Sequence, residues 1–333
     1  MELFNTFPIT IRLVLDVGKV GVALFFLMTG FLCNRSLERQ TPGKFLANKV
    51  LRIYPVYIVG FSITFLFIYM YNYTGGRGFP YNFSNWLIQV SLFREWFWMP
   101  NIDGLSWTLE AQLKFYILIA IIALFKKQKS AKFVSLVSGL LAFAAVLLSG
   151  NLDKMYNAGM TFWWRFSNGS LLAILCLTYM LLGTAFYQHH IGLWSTGKLF
   201  AVIVVLYTFF IFACLAYAPN ALEIILNYTY GLVIFSSTYT LSRNGGSSVF
   251  QWKVVRFLAK ISYPLYVVHG LVGFIIMTYL YNMGWSAFAC FLTAVFIVIV
   301  LACLLHIFIE VPCGKFANRL LFGNKKKTNE PGK

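Results

Sequence analysis

The chain has 333 residues, 59% of them hydrophobic and 19% aromatic, with only 11% charged. Soluble domains run at about 45–50% apolar and about 25% charged, so this composition excludes a soluble enzyme and a disordered chain alike. The net charge of +17 would suggest a nucleic-acid partner on a soluble protein; on so apolar a chain it is read first as a membrane-orientation signal.

A helix that crosses a bilayer needs about 20 mostly apolar residues. Taken in chain order, nine segments meet that requirement: 17–33, 54–71, 105–125, 131–149, 167–187, 199–217, 221–241, 257–280 and 286–309. The stretch from Trp86 to Trp98 is short, aromatic and interrupted by Arg94 and Glu95, which predicts an interfacial or re-entrant element rather than a span. The fold expected is an all-α polytopic helical bundle. It would form one transmembrane domain over 1–323, followed by a basic tail over 324–333.

The charges orient it. Nineteen Lys and Arg residues fall on alternate connections: 34–52, 126–132, 188–198, 242–256 and the tail. The opposite connections carry six basic and six acidic residues. The positive-inside rule places the first set, and the C-terminus, in the cytoplasm. Nearly all of the +17 is thereby an orientation signal. With nine spans the N-terminus would lie outside, and one more helix in front would remove that awkwardness.

Ionisable groups at membrane depth are costly and so are candidates for function. Glu110 lies within Gly104 to Tyr116, GLSWTLEAQLKFY. It falls about 9 Å into a helix expected to start at the outer surface, with Lys114 one turn on as either an ion-pair partner or a neighbour in a cavity. His269 closes ISYPLYVVH (Ile261 to His269), with Pro264 breaking the backbone ladder before it. His306 and Glu310 read as a helix-end pair, and His189 and His190 as loop residues. Lys49 and Arg52, one turn apart, are either topology anchors or a cationic pair for a phosphate-rich ligand. Arg165 follows Trp163 and Trp164 at the outer interface, as an anchor or a contact for an anionic or sugar ligand. The six cysteines are scattered, with no CxxC and no Cys/His spacing that suits zinc, so neither a metal site nor a disulfide framework is expected. There is no Walker loop, GxSxG or HExxH.

Several of these segments share one pattern. GVALFFLMTGFL (Gly21 to Leu32), LRIYPVY (Leu51 to Tyr57), LSWTLEAQLKFY (Leu105 to Tyr116), MLLG (Met180 to Gly183), ISYPLYVVH and IEVP (Ile309 to Pro312) resemble, in the same order, motifs of the membrane-bound acyltransferase-3 family. Relative to that pattern, Lys49 stands in place of an arginine, Thr29 in place of serine and Ala23 in place of aspartate. The family's ten-helix plan has a first helix bearing an Arg and a His, and this sequence begins after that helix. The resemblance implies a membrane O-acyltransferase that moves an acyl group, commonly acetyl, from acyl-CoA to a hydroxyl of an extracytoplasmic glycan. It implies no bound cofactor, acyl-CoA as donor substrate, and a bacterial inner membrane location. On that reading Glu110 and His269 are catalytic, and Lys49 and Arg52 bind acyl-CoA. Arg165, Trp107 and Tyr263 contact substrate. The alternatives are a non-catalytic relative and a transporter of a glycan or lipid intermediate, with Glu, Lys and His at the midplane.

Overall fold

The computed structural model describes residues 15–97, 99–243 and 252–323. The basic tail expected over 324–333 and the front of the chain, residues 1–14, lie outside them. Thirteen α-helices follow one another, and no strand occurs among the described residues. They are α1 (Val17–Leu37), α2 (Pro42–Thr74), α3 (Phe83–Val90), α4 (Ser106–Leu124), α5 (Ala131–Ser149), α6 (Leu152–Asn157), α7 (Thr161–His190), α8 (Thr196–Tyr217), α9 (Ala221–Arg243), α10 (Lys253–His269), α11 (Leu271–Asn282), α12 (Ala287–Leu305) and α13 (Val311–Phe322). A 3₁₀ turn, Arg94–Phe97, follows α3, and a π-helical turn, His306–Glu310, joins α12 to α13.

Among the described residues seven helices are long and apolar enough to cross a membrane, or eight if the bent pair α10–α11 counts as one span. The chain is thus an all-α, multi-pass membrane protein. Two of the nine expected spans differ in detail. The segment expected as one span over 257–280 is broken at Gly270, where α10 and α11 diverge by 63°. The segment at 221–241 is helical, but Asn227, Thr229, Ser236, Thr238 and Thr240 make it more polar than the others. All five of those hydroxyl and amide side chains return their hydrogen bonds to carbonyls one turn back, which is how polar groups are tolerated on a helix in lipid.

The chain divides into two compact units. One comprises the described residues of Met1–Pro42 and Thr108–Ser247, the other those of Gly43–Trp107 and Ser248–Lys333.

The first unit is built around α7. Between Leu171 and His189 almost every residue of α7 is buried, as expected of a helix that is surrounded by others. Its closest neighbour is α1. A Cβ added at Gly30 would lie 1.9 Å from the Met180 carbonyl, and one at Gly183 would lie 2.2 Å from the Leu27 carbonyl. The two backbones touch directly, in the manner of small-residue contacts in membranes. Polar bonds lock the register: Asn34 Nδ2 donates to Thr184 Oγ1 at 3.0 Å, and Gln112 Nε2 of α4 donates to Thr29 Oγ1 at 3.0 Å. On the other side of α7, Tyr179 packs its ring on Phe210 and Tyr228 and donates to the Tyr228 carbonyl at 2.8 Å.

The second unit is organised along α2. Residues 79–91 run antiparallel to it. Phe79 and Tyr81 meet Phe65, Trp86 Nε1 donates to Ser62 Oγ at 3.1 Å, and Tyr54 donates to the Ser91 carbonyl at 2.8 Å. The described residues from Trp86 to Ser91 therefore lie back along α2 rather than beyond its end. It reverses at Leu92, whose φ of 59° lies in the left-handed region and whose side chain is buried. α10 packs on α2 where Val267 meets Gly60, and Leu305 of α12 closes the same layer.

Candidate functional site

The second unit brings together most of the residues expected to act. Tyr263 donates to the Ile53 carbonyl at 2.8 Å, so α10 is fastened to α2 one residue past Arg52. Arg52 is exposed and takes part in no ion pair among the described residues. Lys49, half-buried one turn before it, lays its ammonium over the Phe45 ring at 5.5 Å, a cation–π contact that leaves the charge near the surface. Tyr263 was expected to contact substrate; here its hydroxyl serves to clamp two helices.

His269 stands six residues further along α10, about 9 Å on. Its Nδ1 lies 2.9 Å from the Tyr266 carbonyl. Since a carbonyl only accepts, Nδ1 is the donor in this contact, and in the neutral ring Nε2 is then the acceptor. The ring is exposed and lines a cavity of about 810 Å3 between α10, α11 and α12. The walls include Leu258, Leu265, Gly273, Phe291 and Val298, with Ser262, Tyr266 and His269 as the polar side chains on a largely apolar surface. The volume falls within the range of about 300–1,000 Å3 typical of ligand sites.

A buried polar cluster holds the start of α4 nearby. Asp103 Oδ1 accepts the N–H groups of Leu105 at 3.0 Å and Ser106 at 2.9 Å, satisfying amides that a helix start leaves without partners. Tyr57 donates to Asp103 Oδ2 at 3.2 Å, Gln89 Nε2 donates to Ser106 Oγ at 2.7 Å, and Ser106 Oγ donates to Asn101 Oδ1 at 2.8 Å. Gly104, with φ of +73°, supplies the left-handed turn between these partners. Tyr57, Gln89, Asp103 and Ser106 are all buried. The sequence did not reveal that Gln89 and Tyr57, far away in the chain, would converge on Asp103 and Ser106. Tyr57 lies 17 residues before the Thr74 end of α2, about 25 Å along the helix. The start of α4 is therefore well down α2, not level with its outer end as the sequence suggested.

From this start the sequence leads to Trp107, half-buried, and to Glu110, which is 2% exposed. Glu110 and Gln112 place two polar side chains in the buried part of α4. Arg165 belongs to the first unit, where it is exposed in the first turns of α7 near the exposed Trp163. His306 and Glu310 form the expected i,i+4 pair, Nδ1 to Oε2 at 2.6 Å, on the π-helical turn. His189, expected in a loop, instead lies near the end of α7, hydrogen-bonded to Tyr239 at 2.6 Å and to Arg243 at 2.9 Å. All six cysteines are free, and no cluster of three metal-ligating side chains occurs among the described residues.

No curated protein and no solved structure matches the chain. The family model described as the acyltransferase domain does match, over residues 2–307. That span takes in Lys49, Arg52, Trp107, Glu110, Arg165, Tyr263 and His269, and covers most of the chain. The protein therefore belongs to the acyltransferase-3 family.

Proposed function

We propose that this membrane acyltransferase takes an acyl group, commonly acetyl, from acyl-CoA and transfers it to a hydroxyl of an extracytoplasmic glycan. The observation that supports this most is the arrangement on α2 and α10. An exposed guanidinium at Arg52 stands at the level of Tyr263, and further along α10 an apolar cavity carries His269. Cations at one end suit the phosphates of coenzyme A. An apolar cavity with one imidazole suits the thioester end, whose acyl carbon must be kept from water until the acceptor arrives.

Each residue then has a role. Lys49 and Arg52 bind the donor's phosphates. The pantetheine arm threads between helices toward His269. His269 Nε2 is a base that can remove the acceptor hydroxyl's proton as oxygen attacks the thioester carbon, and the Glu110 carboxylate, in the first unit, is a separate candidate acid or base. The thiolate of coenzyme A departs and takes up a proton. Trp107 and Arg165 contact the glycan. The charge asymmetry of the connections supports a cytoplasmic C-terminus, and with the family's expected bacterial inner-membrane location the donor and acceptor would approach from opposite sides.

The donor site is tested with the purified protein in lipid vesicles. Arg52→Ala is expected to raise the acyl-CoA KM about 10-fold, since a hydrogen bond to a charged group contributes about 1.5–3 kcal/mol, while kcat changes little. Lys49→Ala acts in the same direction and less strongly, because its charge is shared with the Phe45 ring. A donor KM unchanged in Arg52→Ala contradicts the assignment. So does complementation of a deletion strain by Arg52→Ala with glycan acylation at the wild-type level.

A further inference from the structure

Asp103 makes more bonds than a turn requires. Its Oδ1 fixes the amides of Leu105 and Ser106, and its Oδ2 receives the Tyr57 hydroxyl. The carboxylate is 6% exposed, and the Gln89 and Ser106 side chains bonded beside it are fully buried. A buried charge with this many donors holds its surroundings in one arrangement. The group it holds most directly is Leu105, which faces the His269 segment in two ways. The Leu105 carbonyl accepts from the Tyr266 hydroxyl at 3.3 Å. The Leu105 side chain fills the space over Gly270, where an added Cβ would lie 2.9 Å from Leu105 Cδ1. Tyr266 supplies the carbonyl that holds His269 Nδ1, and Gly270 is the residue at which α10 breaks into α11.

We infer that Asp103 is a positioning residue for His269, acting through Leu105 on Tyr266 and Gly270. The chain of contacts is short: carboxylate to the Leu105 amide, Leu105 to Tyr266 and Gly270, Tyr266 to the imidazole. Gln89 and Tyr57 tie the same carboxylate to α3 and to α2, so His269 is braced from two elements that do not carry it. The catalytic part of this inference rests on the role proposed above for His269; the structural part does not.

The experiment uses the full chain in detergent and has two readouts. The first is the rate at which diethyl pyrocarbonate modifies His269, followed by peptide mass spectrometry, with His306 as internal reference. Asp103→Ala is expected to change the His269 rate while that of His306 stays as in the wild type. Asp103→Asn, which keeps an oxygen for the two amides, is expected to restore the wild-type rate. The second readout is kinetic. Asp103→Ala is expected to lower kcat about 10- to 100-fold, the cost of misplacing a reacting group by about an ångström. Its donor KM should stay within about twofold, and Asp103→Asn should recover most of kcat. Should Asp103→Ala fail to fold, Leu105→Ala removes the middle of the relay and is expected to shift the His269 rate likewise. The inference is overturned by a His269 rate unchanged in folded Asp103→Ala or Leu105→Ala, or by equal changes at His269 and His306. If the wild type transfers no acyl group from acyl-CoA, the proposed function fails, and the modification rates still decide the positioning role.

Discussion

Glu110→Gln and His269→Gln are each expected to lower acyl transfer by about 100-fold or more, the scale of a lost general acid or base. Neither change should empty the membrane of protein. Gln preserves the shape of Glu110, which is buried in α4 two residues before Gln112, itself a buried amide. At 269 the side chain is exposed and its hydrogen bond goes to the Tyr266 carbonyl of its own turn, so little packing depends on it. The effect should therefore fall on kcat, with the donor KM set by Lys49 and Arg52 left near the wild-type value. The double variant is expected to be scarcely worse than either single one if the two groups serve one proton transfer, because groups that act as a unit are not additive. Transfer at the wild-type rate by either single variant removes that residue from the chemistry.

Gly30→Leu is expected to abolish the folded protein. The Cβ of any residue at 30 would fall 1.9 Å from the Met180 carbonyl, and Gly183 faces Leu27 equally closely. Neither neighbour is a flexible side-chain end that could move aside; both are helix backbone. The helices must separate, and with them go the Asn34–Thr184 bond and the burial of the middle of α7. Over-packing costs about 1–3 kcal/mol and sometimes more, against a total stability of about 5–15 kcal/mol. Gly30→Ala should therefore lower the Tm in detergent by several degrees, and Gly30→Leu should leave no monodisperse peak on size-exclusion chromatography. Gly21→Ala is the control on the same helix. An added Cβ there meets nothing within 4 Å, and its Tm should match the wild type.

Much of this architecture was legible because lipid permits few solutions. An apolar run of about 20 residues has to be helical, and the nine segments read from hydropathy are all helical in the structure. Arg94 and Glu95, in a run too short to span, marked the stretch from Trp86 as interfacial or re-entrant rather than membrane-crossing, and no candidate span falls there among the described residues. The TGFL and MLLG segments carried the family resemblance, and nothing in the sequence showed that Gly30 and Gly183 would face each other. Three features were out of reach. The break at Gly270 sits in an unbroken apolar run, and the visible breaker, Pro264, is accommodated inside α10. The depth at which α4 begins is set by contacts to Tyr57, Gln89 and Tyr266 from remote segments. Asp103 counted in the sequence as one acid on an outer connection, because burial is a tertiary property that composition and spacing do not carry.

The most direct test of the account is a transfer assay with the intact protein reconstituted in vesicles, supplied with acyl-labelled acetyl-CoA on the side of the basic connections and a glycan acceptor on the other. The account predicts label on acceptor hydroxyls with stoichiometric release of coenzyme A, transfer reduced about 100-fold or more in Glu110→Gln, and a raised donor KM in Arg52→Ala. An acceptor that stays unlabelled while the folded wild-type protein and acetyl-CoA are both present would contradict it.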